Sequence, residues 1–313
     1  MPASRRTMLA AMAASALSGC TGPASVTSGG PPASGASRAA TGSGAPSLAP
    51  QTAPAAAPAV TRAQVVARYG YLRPHTWGFG APGVVRALPG AQRVIALTFD
   101  ACGGRGGSGY DRHLIGFLRR REVPATLFLN SRWIDANPAA FGQLAGEPLF
   151  EIASHGTRHL PLSVTGRSAY GIAGTRSAGE VYDEVAGNQA KLTRLLGVSP
   201  RFFRSGTAYC DDIAARIVTD LGERVVSFSV NGDGGATFTP GQVRRAVTAA
   251  ASGSIVIGHM NHPERGTAAG IAAAVGYLLA SGYRFVRLSD GLRSSGMSGG
   301  RSHGLQRRAR RPG

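Results

Sequence analysis

Val94-Ile95-Ala96-Leu97-Thr98-Phe99-Asp100 is the stretch on which the reading of the fold turns: an apolar run with no in-out alternation that stops at a carboxylate. A short continuous run of this kind predicts a strand buried on both faces, as parallel sheets require. Working outward, similar runs recur at Ala125–Leu129, Phe150–Ala153, Arg201–Phe203, Val225–Val230, Ser254–Ile257 and Arg284–Val286. The spacers Asp111–Arg121, Glu180–Leu196, Asp211–Leu221, Pro240–Ala251 and Thr267–Ala280 carry apolar residues at helical spacing. Strands alternating with helices predict an α/β domain with parallel strands and helical crossovers. No G-x-G-x-x-G follows the first run, which disfavours an open dinucleotide-binding sheet. The prediction is therefore a single distorted (β/α) barrel of seven or eight parallel strands, TIM-barrel-like.

In such a barrel, chemistry sits where strands end. Asp100, His155, Arg204 and His259 each follow one of the apolar runs. Any one of them alone reads as a cap or a satisfied surface group, but four at equivalent positions read as a site. His155 and His159 are four apart, a spacing that puts two imidazoles on one face of a helical turn, where they can share a metal ion. Trp77 and Trp133 have the chemistry to stack on sugar rings, although core packing is the commoner use of isolated aromatics.

The flanks differ in composition. Residues 1–20 begin with a basic pair, Arg5 and Arg6, before the apolar run Met8–Leu17, too short to span a bilayer, and end in Leu17-Ser18-Gly19-Cys20. This predicts an export signal with a twin-arginine-like start, and its end resembles a lipobox that would lipidate Cys20; the alternative is an ordinary secretory signal with Cys20 incidental. Residues 21–60, rich in Ala, Pro, Ser and Gly, cannot bury enough apolar surface to order and predict a tether. Residues 61–293 have the composition of a packed domain, and residues 294–313 form a basic tail. The expected location is outside the cytoplasm, periplasmic or at the cell surface, held to the membrane through Cys20. The net charge of +18 attracts polyanions without choosing among them. Export, and the concentration of Arg in the tail, point away from nucleic acid and toward anionic wall polymers or lipid.

From Val94 to Leu292 the chain resembles the polysaccharide deacetylases of carbohydrate esterase family 4. Thr98-Phe99-Asp100 matches that family's first motif, His155-Gly156-Thr157-Arg158-His159 its second, and Phe203-Arg204-Ser205-Gly206-Thr207-Ala208-Tyr209 its third. Asp233 is the best match to the acid of the fourth, and Ile255-Val256-Ile257-Gly258-His259 matches the fifth. The resemblance implies Asp100 as general base oriented by Arg204, His259 as general acid oriented by Asp233, and a divalent metal, zinc by its ligand types, on His155 and His159. Ile257 would line the acetyl pocket, with Thr207, Tyr209 and His262 on the substrate side; His262 reads equally as a surface loop residue. Two departures stand out. The family's second Asp, its third metal ligand, is Ala101 here, so that Asp100, Cys102 or another side chain must complete the site, or metal is weak or absent; Asp100 is the favoured ligand. The third motif has Gly206 and Thr207 in place of Pro and an aromatic, with Tyr209 displaced by two. Export into an oxidising compartment further predicts a bridge between Cys102 and Cys210, against two free thiols or a Cys102 ligand. The implied activity is hydrolytic N-deacetylation of an N-acetylated wall or extracellular polysaccharide, peptidoglycan or an acetylated glucosamine polymer. The alternatives are a catalytically weak or inactive glycan-binding lipoprotein and a hydrolase of small amides.

Overall fold

The computed structural model describes residues 60–90 and 92–293. The export signal with Cys20, nearly all of the tether and the basic tail lie outside the described residues. Within them, no helix is long and apolar enough to cross a membrane.

The chain runs α1 (Arg62–Tyr69), β1 (Trp77–Gly78), β2 (Val94–Ala101), α2 (Arg112–Arg120), β3 (Ala125–Leu129), α3 (Ser131–Ala136), α4 (Pro138–Ala145), β4 (Phe150–Ser154), α5 (Ala178–Leu196), β5 (Phe202–Phe203) and β6 (Cys210–Asp211). It continues through α6 (Asp212–Asp220), β7 (Arg224–Val225), β8 (Val230–Asn231), α7 (Pro240–Thr248), β9 (Ile255–His259), α8 (Thr267–Ala280), β10 (Arg284–Val286) and α9 (Leu288–Arg293). The helices start where sequence chemistry allows. Thr61 and Thr239 form capping boxes with Gln64 and Gln242, and Asp111, Ser177 and Asp211 accept an amide three residues on.

The main sheet is parallel, in the order β7-β5-β4-β3-β2-β9-β8, with β10 pairing to the start of β2. All eight residues of β2 are buried, as expected of a central strand covered on both faces. Ile95, Leu97, Phe99 and Ala101 belong to the large core beneath α2, α4, α7 and α8. Val94 and Ala96 point the other way, into a smaller apolar cluster with Phe128, Ala153, Phe202 and Ile255. Thr98 and Asp100 share the parity of Val94 and Ala96 and continue this inner face toward the strand end.

One expected strand differs. Val225–Val230 is not continuous: Val225 ends β7 at one edge of the sheet and Val230 begins β8 at the other. Between them the amide of Ser227 donates to Val85 O and that of Ser229 to Ile255 O. Five Cα–Cα steps reach at most about 19 Å, so this crossing requires the sheet to curl until its edges approach each other. The architecture is an α/β half-barrel, curled and unclosed. Short α1, α3, α4 and α9 escape the periodicity of the sequence because one or two turns show too little of a 3.6-residue repeat.

Candidate active site

At the open end of the curl, Arg204 follows β5 directly and is fully buried. Its Nη1 donates to Asp100 Oδ1 at 2.6 Å, its Nη2 to Thr98 Oγ1 and Ser227 O at 3.0 Å each, and its Nε to Val226 O at 3.2 Å. The guanidinium also lies 4.1 Å from the Phe128 ring centroid. A buried charge persists only when paired and hydrogen-bonded, and this one is held on every side. Asp100 is thereby fixed through one oxygen; its Oδ2 lies 3.6 Å from His155 Nε2.

His259 closes β9. Its Nδ1 donates to Asp233 Oδ1 at 2.9 Å, while its amide and the Thr267 hydroxyl bind Asp233 Oδ2 at 2.7 and 2.9 Å. Burial opposes charge on this imidazole, but the Asp233 carboxylate outweighs it and holds His259 well above its ordinary value. The same contacts hold the buried Asp233 carboxyl below the usual range against the desolvation that would raise it.

His155 and His159 do not lie on a helical turn. Residues 155–159 form a loop in which Gly156 and His159 have φ of 74° and 64°. Glu184 of α5 enforces this shape: its carboxylate accepts the Arg158 amide at 2.9 Å and the Leu160 amide at 3.2 Å, bracketing His159. A Cβ at Gly156 would stand 2.5 Å from Glu184 Oε1, so the approach needs glycine. The two rings still meet, 4.9 Å apart and edge to face. His155 Nδ1–H donates to the Arg204 carbonyl at 2.9 Å, so that Nε2 carries the lone pair when the ring is neutral.

Cys102 completes the group. Its Sγ lies 3.8 Å from His155 Nε2, and the donor atoms of Cys102, His155 and His159 all fall within 4.8 Å of one another. His159 Nε2 is buried without a hydrogen-bond partner among the described residues. Burial resists ionisation of the Cys102 thiol, but the neighbouring His159 and His155 hold it well below its ordinary value. A cysteine sulfur and two imidazoles, one with an unpartnered buried nitrogen and the other oriented by a backbone carbonyl, fit a divalent metal. Asp100, the favoured third ligand from sequence, is held by Arg204 through Oδ1 and keeps Oδ2 3.6 Å from His155 Nε2, while Cys102 is the third member of the cluster with His155 and His159.

The predicted Cys102–Cys210 bridge does not form; both thiols are free. Cys102 faces the histidines, whereas Cys210 lies in β6 within the core around Leu162 and Phe203, where burial pushes its thiol up to about 12. In the loop after Arg204, Gly206 packs flush on His159, since a Cβ there would come within 2.2 Å of its carbonyl carbon. The amides of Gly206, Ala208 and Tyr209 are bonded to Leu160 O, Ser205 O and Thr207 Oγ1.

These groups open into one cavity of about 540 Å³ whose lining includes Asp100, Cys102, His159, Thr207, Ile257, His259 and His262. Tyr209 stands behind the wall, its ring 4.3 Å from that of Phe79. Trp133 is wholly buried, its indole donating to Gly109 O at 2.7 Å, and Trp77 packs on Tyr209 at 5.6 Å. The cavity also takes in Phe79, Arg105, Tyr170, Phe228, Asn231 and Asn261, which sequence reasoning passed over. Of these, Asn261 stands two residues beyond His259, and Phe228 and Asn231 stand in the run that leads to Asp233.

A family model described as polysaccharide deacetylase matches residues 87–226. A peptidoglycan-N-acetylglucosamine deacetylase of Bacillus cereus is 27% identical over 210 residues, covering 66% of this chain and 91% of that protein. An uncharacterized protein of Streptomyces coelicolor is 31% identical over 205 residues, covering 63% of this chain and 71% of its own. Among solved structures, a CE4 family pseudoenzyme from Bacillus anthracis superposes with a TM-score of 0.57 at 19% identity, covering 68% of this chain and 70% of that one. With the motif residues gathered around one cavity and these relatives spanning most of the domain, the chain belongs to the polysaccharide deacetylase family.

Proposed function

We propose that this protein hydrolyses the acetamide of an N-acetylated glycan, releasing acetate and a free amino sugar. The observation that carries the reading is the pairing of two oppositely arranged couples on one cavity: a carboxylate fixed by a buried guanidinium, Asp100 with Arg204, and an imidazole fixed by a buried carboxylate, His259 with Asp233. Glycan binding alone requires neither a base nor an acid. Amide hydrolysis requires both.

Cys102, His155 and His159 would hold a divalent ion, and their mixed sulfur and nitrogen donors suit zinc. Such an ion, when bound, supplies Lewis-acid polarisation of the acetyl carbonyl. Asp100, with Oδ1 tied to Arg204, uses its remaining oxygen to take a proton from the attacking water. The water oxygen bonds to the carbonyl carbon, and the Thr207 N–H, the one amide between Gly206 and Tyr209 with no protein acceptor among the described residues, meets the developing oxyanion. His259 gives its Nε2 proton to the sugar nitrogen as the C–N bond breaks, and Asp233 stabilises the ring while charged. Ile257 lies beside the acetyl methyl. The B. cereus relative bears the name of a peptidoglycan-N-acetylglucosamine deacetylase, and an N-acetylglucosamine polymer is the substrate proposed here.

The competing reading, a glycan binder without turnover, draws on Ala101 and on the pseudoenzyme among the structural neighbours. Acetate release from peptidoglycan fragments and N-acetylchitotetraose, measured on metal-analysed protein, separates the two. Asp100→Asn should lower that rate by about 10² to 10⁴; near-normal turnover would reject Asp100 as the base, and wild-type protein that binds glycan without releasing acetate would establish the competing reading.

A further inference from the structure

Between His159 and α5 the chain makes a narrow hairpin that takes no part in the chemistry above. Ala169 and Ile172 exchange both backbone hydrogen bonds, at 3.1 and 2.9 Å. The two residues between them, Tyr170 and Gly171, have φ of 53° and 75°. Positive φ at both central positions defines the type I′ turn, where Asn, Asp and Gly are the residues that fit. Gly171 meets that demand; Tyr170 does not, and a bulky residue held in the left-handed region costs free energy that the fold must absorb.

Nothing in the core rewards that cost. Tyr170 is 72% exposed. Its ring stands edge-on to Tyr209 at 5.5 Å, Tyr209 packs on Phe79 at 4.3 Å, and Phe79 on Phe228 at 5.0 Å. Tyr170, Phe79 and Phe228 all line the cavity that holds Asp100 and His259. Phe79 comes from a segment before the region that the family model matches, and that segment is pinned in place. Trp77 and Gly78 pair with Asp211 and Cys210, and Asp212 accepts the amides of His75 and Thr76 at 2.8 and 3.0 Å.

We propose that Tyr170, backed by Tyr209 and flanked by Phe79, is a stacking platform for a second sugar ring, adjacent to the residue that is deacetylated, so that the chain recognises oligomeric glycan in preference to a single sugar. The identity of the ligand rests on the deacetylase reading above. A pyranose ring presents an apolar C–H face that covers an aromatic ring while its hydroxyls stay in water, which suits a tyrosine kept exposed at a cavity mouth. The strained backbone conformation fixes where the ring stands before any ligand arrives.

The test is binding of N-acetylchitotetraose and of N-acetylglucosamine to the Asp100→Asn protein, by calorimetry, with Tyr170 intact and as Tyr170→Gly and Tyr170→Phe. Glycine fits the left-handed position, so the melting temperature of Tyr170→Gly should be unchanged or higher. Its affinity for the tetramer should fall about five- to tenfold, with the monosaccharide hardly affected, and phenylalanine should restore most of the loss. Equal tetramer affinity with Tyr and Gly, equal losses for tetramer and monosaccharide, or no tetramer binding with Tyr170 intact would each overturn the platform. Failure of the deacetylase reading looks different: tetramer bound through Tyr170, but no acetate released by the wild-type protein.

Discussion

Asp100, Ala101 and Cys102 occupy consecutive positions at the end of one strand, and strand parity assigns them different surroundings. Asp100 faces the inner side of the curl, Ala101 is buried in the core with Leu129 and Trp133, and Cys102 returns to the cavity. Under the proposed function, the base and the third donor are separate side chains two residues apart, and Asp100 need not serve as both. Cys102→Ala should lower zinc affinity at least about 100-fold, measured by competition with a chromogenic chelator. A cobalt-substituted wild-type protein should also show a near-ultraviolet sulfur-to-metal absorption band that the variant lacks. Equal affinity in the two proteins would remove Cys102 from the metal site. Cys210 does not confuse the experiment, because its thiol is buried in another core and held protonated.

At the scale of elements, α5 does more than cover the sheet. Through Glu184 it sets the backbone of the loop that carries His159, and through Asn188 it donates to Leu129 O and Ser154 Oγ at 2.8 and 3.1 Å, next to His155. Glu184→Ala should leave the helical circular dichroism intact while weakening zinc binding by about ten- to a hundredfold; unchanged zinc affinity would show that the loop keeps His159 in place unaided. Much of this level was legible in the sequence. Apolar runs gave β2, β3 and β4 nearly to the residue, because a strand covered on both faces is apolar along most of its length. The i,i+4 spacing of His155 and His159 suggested a helical turn, yet the pair meets across a loop, because the deciding contact comes from Glu184, about 25 residues away in sequence. Val225–Val230 hid its break for a related reason: an apolar run says that a segment is buried, not which sheet edge buries it. Tyr170 was invisible, since no local pattern announces a left-handed tyrosine. The role of Cys102 could have been weighed more heavily from parity alone, as it shares the face of Asp100.

For the molecule as a whole, one buried acid sets a pH dependence of stability. Glu223, between α6 and β7, is 1% exposed, and both carboxylate oxygens are without a hydrogen-bond partner among the described residues; the nearby Gln189 amide donates to Leu221 O instead. Burial holds the Glu223 carboxyl well above its ordinary value of 4.5. The folded state therefore keeps this proton where the unfolded chain loses it. Its contribution is most favourable below the ordinary value and declines as pH rises toward the folded value. Glu223→Gln, which cannot ionise, should be the more stable protein at pH 8, by about 1–3 kcal/mol, with the advantage shrinking toward pH 4. Melting curves that stay parallel across that range would contradict it. The crossing at Val226–Ser229 has a separate consequence. It joins the first and last strands of the sheet, each only two residues long, and strand edges are where one protein molecule adds to another in aggregation. Among the described residues, the two ends of the main strand order are short strands tied to each other, so they offer an incoming strand only a two-residue ladder to extend.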